Sequence, residues 1–367
     1  MTLAELTSHL VTYPTTREHL DQIEACEQWI GQYIQENTDQ PVSVEIIKDE
    51  GVPSLLVGAT QTRSFDILLH GHVDVVVRDE SGQFEPRIEG DKLYGRGTGD
   101  MKGADAVLIQ TFIWARNTYP DLNIGLLLAG DEEQGGFHGT KPLVEAGLET
   151  GLLINFDGGY GEQITLGEKG ILSLKLTATG TPALVTYPWR ADSAYHKIQE
   201  AIQIIETQFT ENDLASDEDN WHTTFAVKHV STNPEGDSST THEATATGTL
   251  CYTHSTKTQE LFNQIKEAVR PYANLELQFS AEPVVIDEYS PAVQQFAQAF
   301  QEVLGSVTYA RENGSSDARF FGSQANEILI TKPIGGNIEL DDEWVSIQSL
   351  GNLFQILQKT ITLRIEK

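Results

Sequence analysis

Short apolar runs alternate with segments of helical spacing along residues 42–156, and this alternation constrains the fold more than any other feature. Strand-length runs fall at 42–48, 54–58, 66–71, 122–129 (LNIGLLLA) and 151–156 (GLLINF). Helical spacing separates the later ones, at 103–117 (GADAVLIQTFIWARN) and 138–146. Strands alternating with helices predict an α/β domain on a largely parallel sheet, because parallel neighbours need a long crossover connection that a helix supplies. Residues 2–36 add two helices split at Tyr13-Pro14, since proline cannot continue a helix and restricts the residue before it.

The pattern changes near residue 170. Residues 171–179 (ILSLKLTAT) alternate as a half-buried strand. A helix is expected at 191–208, strands at 221–231 and 243–253, a helix at 257–270 and a strand at 274–280. That order, β-α-β-β-α-β, is a ferredoxin-like α+β unit. The acidic stretch 211–220 reads as a solvated loop. Helix returns at 290–304, strand at 327–331, and a long final helix at 342–362. The expected organisation is an α/β domain formed by 1–169 and 282–367, interrupted by an α+β domain at 170–281.

Charge and composition exclude some functions. The 24 Lys+Arg against 54 Asp+Glu give a formal net charge of −30. A nucleic-acid binder carries a basic footprint, and anionic membrane surfaces attract basic segments, so neither partner is expected. The apolar runs fall short of the roughly 18 residues a spanning helix needs. Two cysteines, Cys26 and Cys251, cannot build a disulfide framework, and nothing like a signal peptide opens the chain. The expected setting is the cytoplasm.

Four motifs carry chemistry. In LLHGHVDVV (68–76), His72 and Asp74 sit two apart and share a face of an extended segment. A carboxylate beside a metal-binding imidazole fixes its tautomer, although His-x-Asp alone is a weak signal and reads more readily as a surface loop. His70 lies deeper in the run and reads as a packed strand residue. In LYGRGTGDMKG (93–103), glycines permit tight turns that can hold Asp100 at the mouth of the sheet. The spacing is not G-x-G-x-x-G, and an acid would face the phosphates, which argues against a nucleotide loop. In LLLAGDEEQGG (126–136), Asp131, Glu132 and Glu133 follow a buried run. Adjacent acids there repel one another unless protons or a cation compensate; a solvated acidic turn is the alternative. INFDGG (154–159) ends another apolar run in Asp157. All four lie at predicted strand ends, where open α/β sheets bind ligands. One imidazole with several carboxylates is a zinc-competent set, and two metals sharing a bridging carboxylate would consume the negative charge.

Taken in order, HGHVDVV, GRGTGDMKG, GDEEQGG and NFDGG resemble the zinc-dependent peptidase and deacylase family that includes succinyl-diaminopimelate desuccinylase, acetylornithine deacetylase, aminoacylase and glutamate carboxypeptidase. The resemblance covers nearly the whole chain, and NGSSDARFF (313–321) and VTYP (185–188) are most similar to the desuccinylase branch. It implies that His72 binds one zinc, oriented by Asp74, that Asp100 bridges two zincs, and that Asp157 completes the first site. It implies Glu133 as a ligand of the second zinc and Glu132 as the general base acting on a metal-activated water. Ser315 and Arg319 would lie near a substrate carboxylate; by themselves they fit a turn and a structural ion pair as well. The implied activity is metal-dependent hydrolysis of a peptide or N-acyl amino-acid amide bond in a small substrate with a free carboxylate. The inserted domain would serve as a lid and as the contact of a homodimer.

Three departures stand against that pattern. The family's last zinc ligand is a histidine; the matching segment KPIGGNIELDDEWV (332–345) carries Glu339. A second site of Asp100, Glu133 and Glu339 would be all oxygen, weaker for zinc and more tolerant of cobalt or manganese. Read as a solvated loop acid, Glu339 would leave a single metal. The lid histidine that donates to the oxyanion is replaced by Leu184, and the polar lid positions fall on Ser238 and Cys251. A metal-binding relative with weak or lost hydrolysis, acting as a binding or regulatory protein, is the alternative reading. The retained Glu132 favours hydrolysis, since a non-catalytic descendant has no chemical need of a base.

Overall fold

In the computed structural model, which describes residues 1–76, 82–159, 161–210, 221–234, 236–253, 257–322 and 324–366, four parallel strands organise the larger unit. They run in the order Ile124–Ala129, Ser64–His72, Glu149–Asn155 and Ala325–Ile330. Ser43–Asp49 and Val52–Gly58 extend the sheet antiparallel on one side, and Ile164–Glu168 pairs antiparallel on the other through Thr165 and Ile330. The parallel pairing expected from the alternation thus forms the centre of a mixed sheet. Ile124–Ala129 is buried at every position, which is why its sequence is an unbroken apolar run. Each of its Ile and Leu side chains removed from water contributes about 1.5–3 kcal/mol.

The helices stop and start where the sequence provides caps. Pro291–Leu304 has Ser290 accepting from the Val293 N–H and ends at Gly305 in the left-handed region (φ 78°). The final helix begins at Ile347, capped by Ser346, rather than at 342. Trp344–Ser346 is instead a short strand pairing with Lys92–Tyr94, and this brings Glu343 to the glycine loop through a Gly95 N–H bond to the Glu343 carbonyl at 3.0 Å. No helix among the described residues is long and apolar enough to cross a membrane.

The chain divides into two compact units, one of Met1–Leu166, Ile286–Glu312 and Ser316–Lys367, the other of Gly167–Val285 and Asn313–Ser315. The smaller unit has an antiparallel sheet in the order Thr224–Pro234, Thr241–Tyr252, Gly170–Thr179, Asn274–Ala281, with helices Ala194–Gln208 and Thr258–Val269. Strand Gly170–Thr179 alternates buried and half-buried residues, and Leu172, Leu174, Ile198, Leu250 and Ile265 share its separate core. Leu184 is 56% exposed and forms a backbone bridge with Ser239, while Val185 donates to the Ser238 carbonyl at 2.9 Å. Cys251 lies mid-sheet, in register with Thr224 and Ile171. The 211–220 stretch lies outside the described residues.

Candidate metal centre

Parallel register gathers the acids on one edge. Strand Ser64–His72 ends on His72 itself, opposite Ala129, and His70 pairs with Asn155. Asp131–Glu133 and Asp157 therefore emerge beside His72 at the carboxyl ends of neighbouring strands. Donor atoms of His72, Glu132 and Asp157 lie within 4.8 Å of one another. His70 sits one layer deeper, bonded to Thr140 Oγ1 at 2.9 Å and Asn155 Oδ1 at 3.3 Å, a hydrogen-bonded core residue.

Asp74 ties two motifs together. Its carboxylate lies 3.3 Å from His72 Nδ1, whose ring also approaches the Asp74 carbonyl at 3.1 Å. The same carboxylate accepts from the backbone N–H groups of Glu132 and Glu133, each at 3.1 Å. One buried acid thus orients the imidazole and fixes the turn that presents both glutamates. It leaves Nε2 facing the cluster, 3.2 Å from Asp100 Oδ1.

Asp100 is held by a residue that sequence reading passed over. Glu343, 2% exposed, accepts from Gly97 N at 3.0 Å, Gly99 N at 2.8 Å and Asp100 N at 3.0 Å, and pairs with Arg96 Nη1 at 2.6 Å. Gly97 has φ 80°, the left-handed conformation that lets the loop turn its N–H groups onto one carboxylate. Arg96 Nη2 also donates to the Glu339 carbonyl at 3.0 Å, so the Asp100 loop and the Glu339 segment share one clamp. Asn155 does similar work for Asp157, accepting from its N–H at 3.2 Å and donating to its carbonyl at 3.1 Å. The sequence hides this role, because DDEWV fits the start of the final helix.

The remaining candidates are placed as follows. Glu339 has φ 60°, and its charge acts on Glu133, as does that of Asp100. Arg319 is 8% exposed: its guanidinium lies 3.2 Å from Asp317, 2.9 Å from the Gly135 carbonyl and 3.7 Å from Glu132. A side chain at Gly136 would collide with Asp317, so that turn closes tightly over the pair. Ser315 belongs to the smaller unit.

The electrostatics record crowding. Burial, then the neighbouring Asp157 and Asp317 charges, pushes Glu132 well above the usual carboxyl range. Burial and neighbouring acids push Glu133 up to about 9 and Asp157 to about 7. Burial alone would lower His72, but its bonds to Asp100 and Asp74 raise it well above 6.5. In return, and against its own burial, Asp100 is held below its ordinary value by the His72 bond. Protons here occupy the places a divalent cation would neutralise, and one imidazole with several carboxylates suits such an ion. Carboxyls whose pKa lies at or above the solution pH must give up protons to bind metal. Zinc titrated calorimetrically at pH 7 into metal-free protein, in buffers of different ionisation heat, will therefore release about two to three protons per protein, from His72, Glu133 and part of Asp157. Affinity will fall as the pH drops from 8 to 6; a pH-independent affinity would contradict this electrostatic account.

Fold and cluster together define a class, the hydrolases that activate water with metal at the carboxyl edge of an α/β sheet. The profile of Peptidase family M20/M25/M40 matches residues 68–363, and the chain belongs to that family. It is a metal-dependent hydrolase of amide bonds. The chain is 29% identical over 304 residues to a succinyl-diaminopimelate desuccinylase of Gluconobacter oxydans, covering 78% of each. It is 24% identical over 332 residues to one from Sulfurovum, covering 86% of this chain and 88% of the other. Among solved structures, an M20 family metallo-carboxypeptidase of Sulfolobus solfataricus superposes with a TM-score of 0.79 at 15% identity, covering 98% of each chain. A dinuclear metal-binding M20 peptidase from Bacillus subtilis gives a TM-score of 0.69 at 12% identity, covering 100% of this chain and 98% of that one.

Proposed function

We propose that this protein hydrolyses the amide bond of an N-acyl amino acid or small peptide bearing a free carboxylate, in the manner of the desuccinylases it is similar to. The observation that carries this reading is the Asp74 grip, which sets the Glu132 turn beside the imidazole and the Asp157 carboxylate. His72 and Asp157 would hold one zinc, Asp100 would be shared, and Glu133 with Glu339 would complete a second site open to cobalt or manganese. Zinc there would supply an electrophile for the carbonyl and a water of lowered pKa. Glu132 takes the proton of the attacking water and returns it to the leaving nitrogen. Its raised affinity for protons suits that double task. Asp74 keeps the His72 tautomer, and Arg319 steadies Glu132 through the Gly135 turn. The smaller unit acts as lid and homodimer contact in a cytoplasmic enzyme, with Leu184, Ser238 and Cys251 giving that lid a less polar surface than in relatives.

The test is metal content after purification, followed by a screen of N-succinyl and N-acetyl amino acids and dipeptides with zinc, cobalt or manganese added. Turnover of an amide with a free carboxylate is expected; metal uptake with no turnover of any of them would overturn the reading. Glu339 offers a further expected result. Glu339→His removes a negative charge, introduces a good zinc donor, and is tolerated at φ 60°, a region histidine visits more than most residues. Zinc should bind more tightly at the weaker of two sites, with the tighter one unchanged, in competition titrations against a chromophoric chelator. Unaltered affinity at both sites would remove Glu339 from the ligand set.

A further inference from the structure

One cation on the metal edge of the sheet, Lys332, has no acid of its own among the described residues. Lys332 follows strand Ala325–Ile330, which runs parallel to Glu149–Asn155 with Ile330 opposite Asn155. Pairing continues past the strand, where Thr331 N donates to the Asn155 carbonyl at 3.2 Å. Continuing that register sets Lys332 level with Asp157, and side chains at level positions of parallel neighbours project from the same face. The backbone is anchored there: the Lys332 carbonyl accepts from Glu162 N at 2.9 Å, and Thr331 Oγ1 donates to the Gln163 carbonyl at 2.6 Å. The ammonium's field accordingly reaches both Asp157 and Asp100. Lys332 is half-buried, yet among the described residues no carboxylate comes within 4.0 Å of it.

The other cations around the site are committed elsewhere. Arg96 is paired with Glu343, Arg319 with Asp317, and Lys102 donates to the Tyr13 carbonyl at 2.7 Å from a fully buried position. Two divalent ions would balance the four carboxylates expected as ligands, Asp100, Glu133, Asp157 and Glu339. In a chain of net charge −30, an ammonium kept beside such a cluster is suited to an anion brought from outside.

We propose that Lys332 is a specificity-determining residue whose ammonium receives a carboxylate of the substrate beside the scissile amide. This rests on the amide-hydrolase reading and assigns its anionic group a partner. The test compares wild type, Lys332→Met and Lys332→Arg, each loaded with zinc. Succinate binding, followed by calorimetry, should weaken roughly 10–100-fold in Lys332→Met, the worth of one charge-assisted hydrogen bond, and stay within a few-fold of wild type in Lys332→Arg. Binding of neutral succinamide and zinc content should not change. On an N-acyl amino acid that is turned over, KM should rise by the same factor with little change in kcat, and the corresponding methyl ester should be unaffected. Unchanged succinate affinity in Lys332→Met would overturn the proposal, since the metals alone would then hold the anion. A parallel loss of zinc and succinate in both variants would also overturn it, giving Lys332 to the metal cluster instead. The succinate measurement needs no turnover, so failure of every amide would count against the hydrolase reading while still deciding the role of Lys332.

Discussion

Glu132→Ala will lower turnover about 10²–10⁴-fold, the usual contribution of a positioned acid–base group, while zinc content stays close to wild type. The turn is held by backbone N–H groups on Asp74, so truncating the side chain leaves that scaffold in place. Arg319 keeps its contacts to Asp317 and the Gly135 carbonyl and is not left as an unpaired buried charge. Burial and the neighbouring Asp157 and Asp317 disfavour the charged form of this carboxyl, so removing it relieves that cost and the melting temperature should hold or rise. Glu132→Gln should match the alanine variant, because an amide cannot accept and return the proton; retained turnover in Glu132→Gln would rule out the base. The geometry makes metal content equally informative. Glu132 oxygen lies within ligand distance of His72 and Asp157, so loss of zinc from Glu132→Ala would make it a ligand and shift the base to another group.

Glu343→Ala will be the most destabilising single change at the site. Its carboxylate serves three backbone N–H groups and the Arg96 guanidinium, all buried except the half-buried Asp100 N–H. Removing one partner of a buried ion pair typically costs about 3–5 kcal/mol, because the remaining charge is stranded in low dielectric. At roughly 2–4 °C per kcal/mol for a domain of this size, the melting temperature should fall by about 6–20 °C. Asp100 would lose the bond fixing its N–H, and Arg96 its alignment toward the Glu339 carbonyl. Zinc stoichiometry should therefore drop together with stability. Glu343→Gln preserves the shape and one accepting oxygen and should fall between wild type and alanine in both measurements. A Glu343→Ala protein with wild-type melting temperature and full metal content would show that the glycine loop holds itself.

Chain periodicity and motif order by themselves determined the α/β class, the inserted β-α-β-β-α-β unit and the strand-end placement of His72, Glu132, Glu133 and Asp157; Asp100 lies instead in the Thr98–Lys102 turn. Those signals are local: a buried strand must be apolar at every position, a half-buried one must alternate, and both are visible within ten residues. Only the tertiary structure decided which acid holds which loop. The 92–94 and 344–346 strands meet across some 250 positions of chain, and that pairing takes residues 344–346 out of the final helix and turns Glu343 onto the Asp100 loop. The sequence offers Arg319, in the SSDAR segment, as the anion partner, and gives Lys332, a single lysine between Thr331 and Pro333, no motif of its own. What separates them is long-range: Asp317 and the Gly135 carbonyl claim the first, whereas the second follows a strand end beside Asp157 with no carboxylate within 4.0 Å among the described residues. Charge pairing depends on three-dimensional distance and on burial, which lowers the dielectric between partners, and neither is a property of chain order.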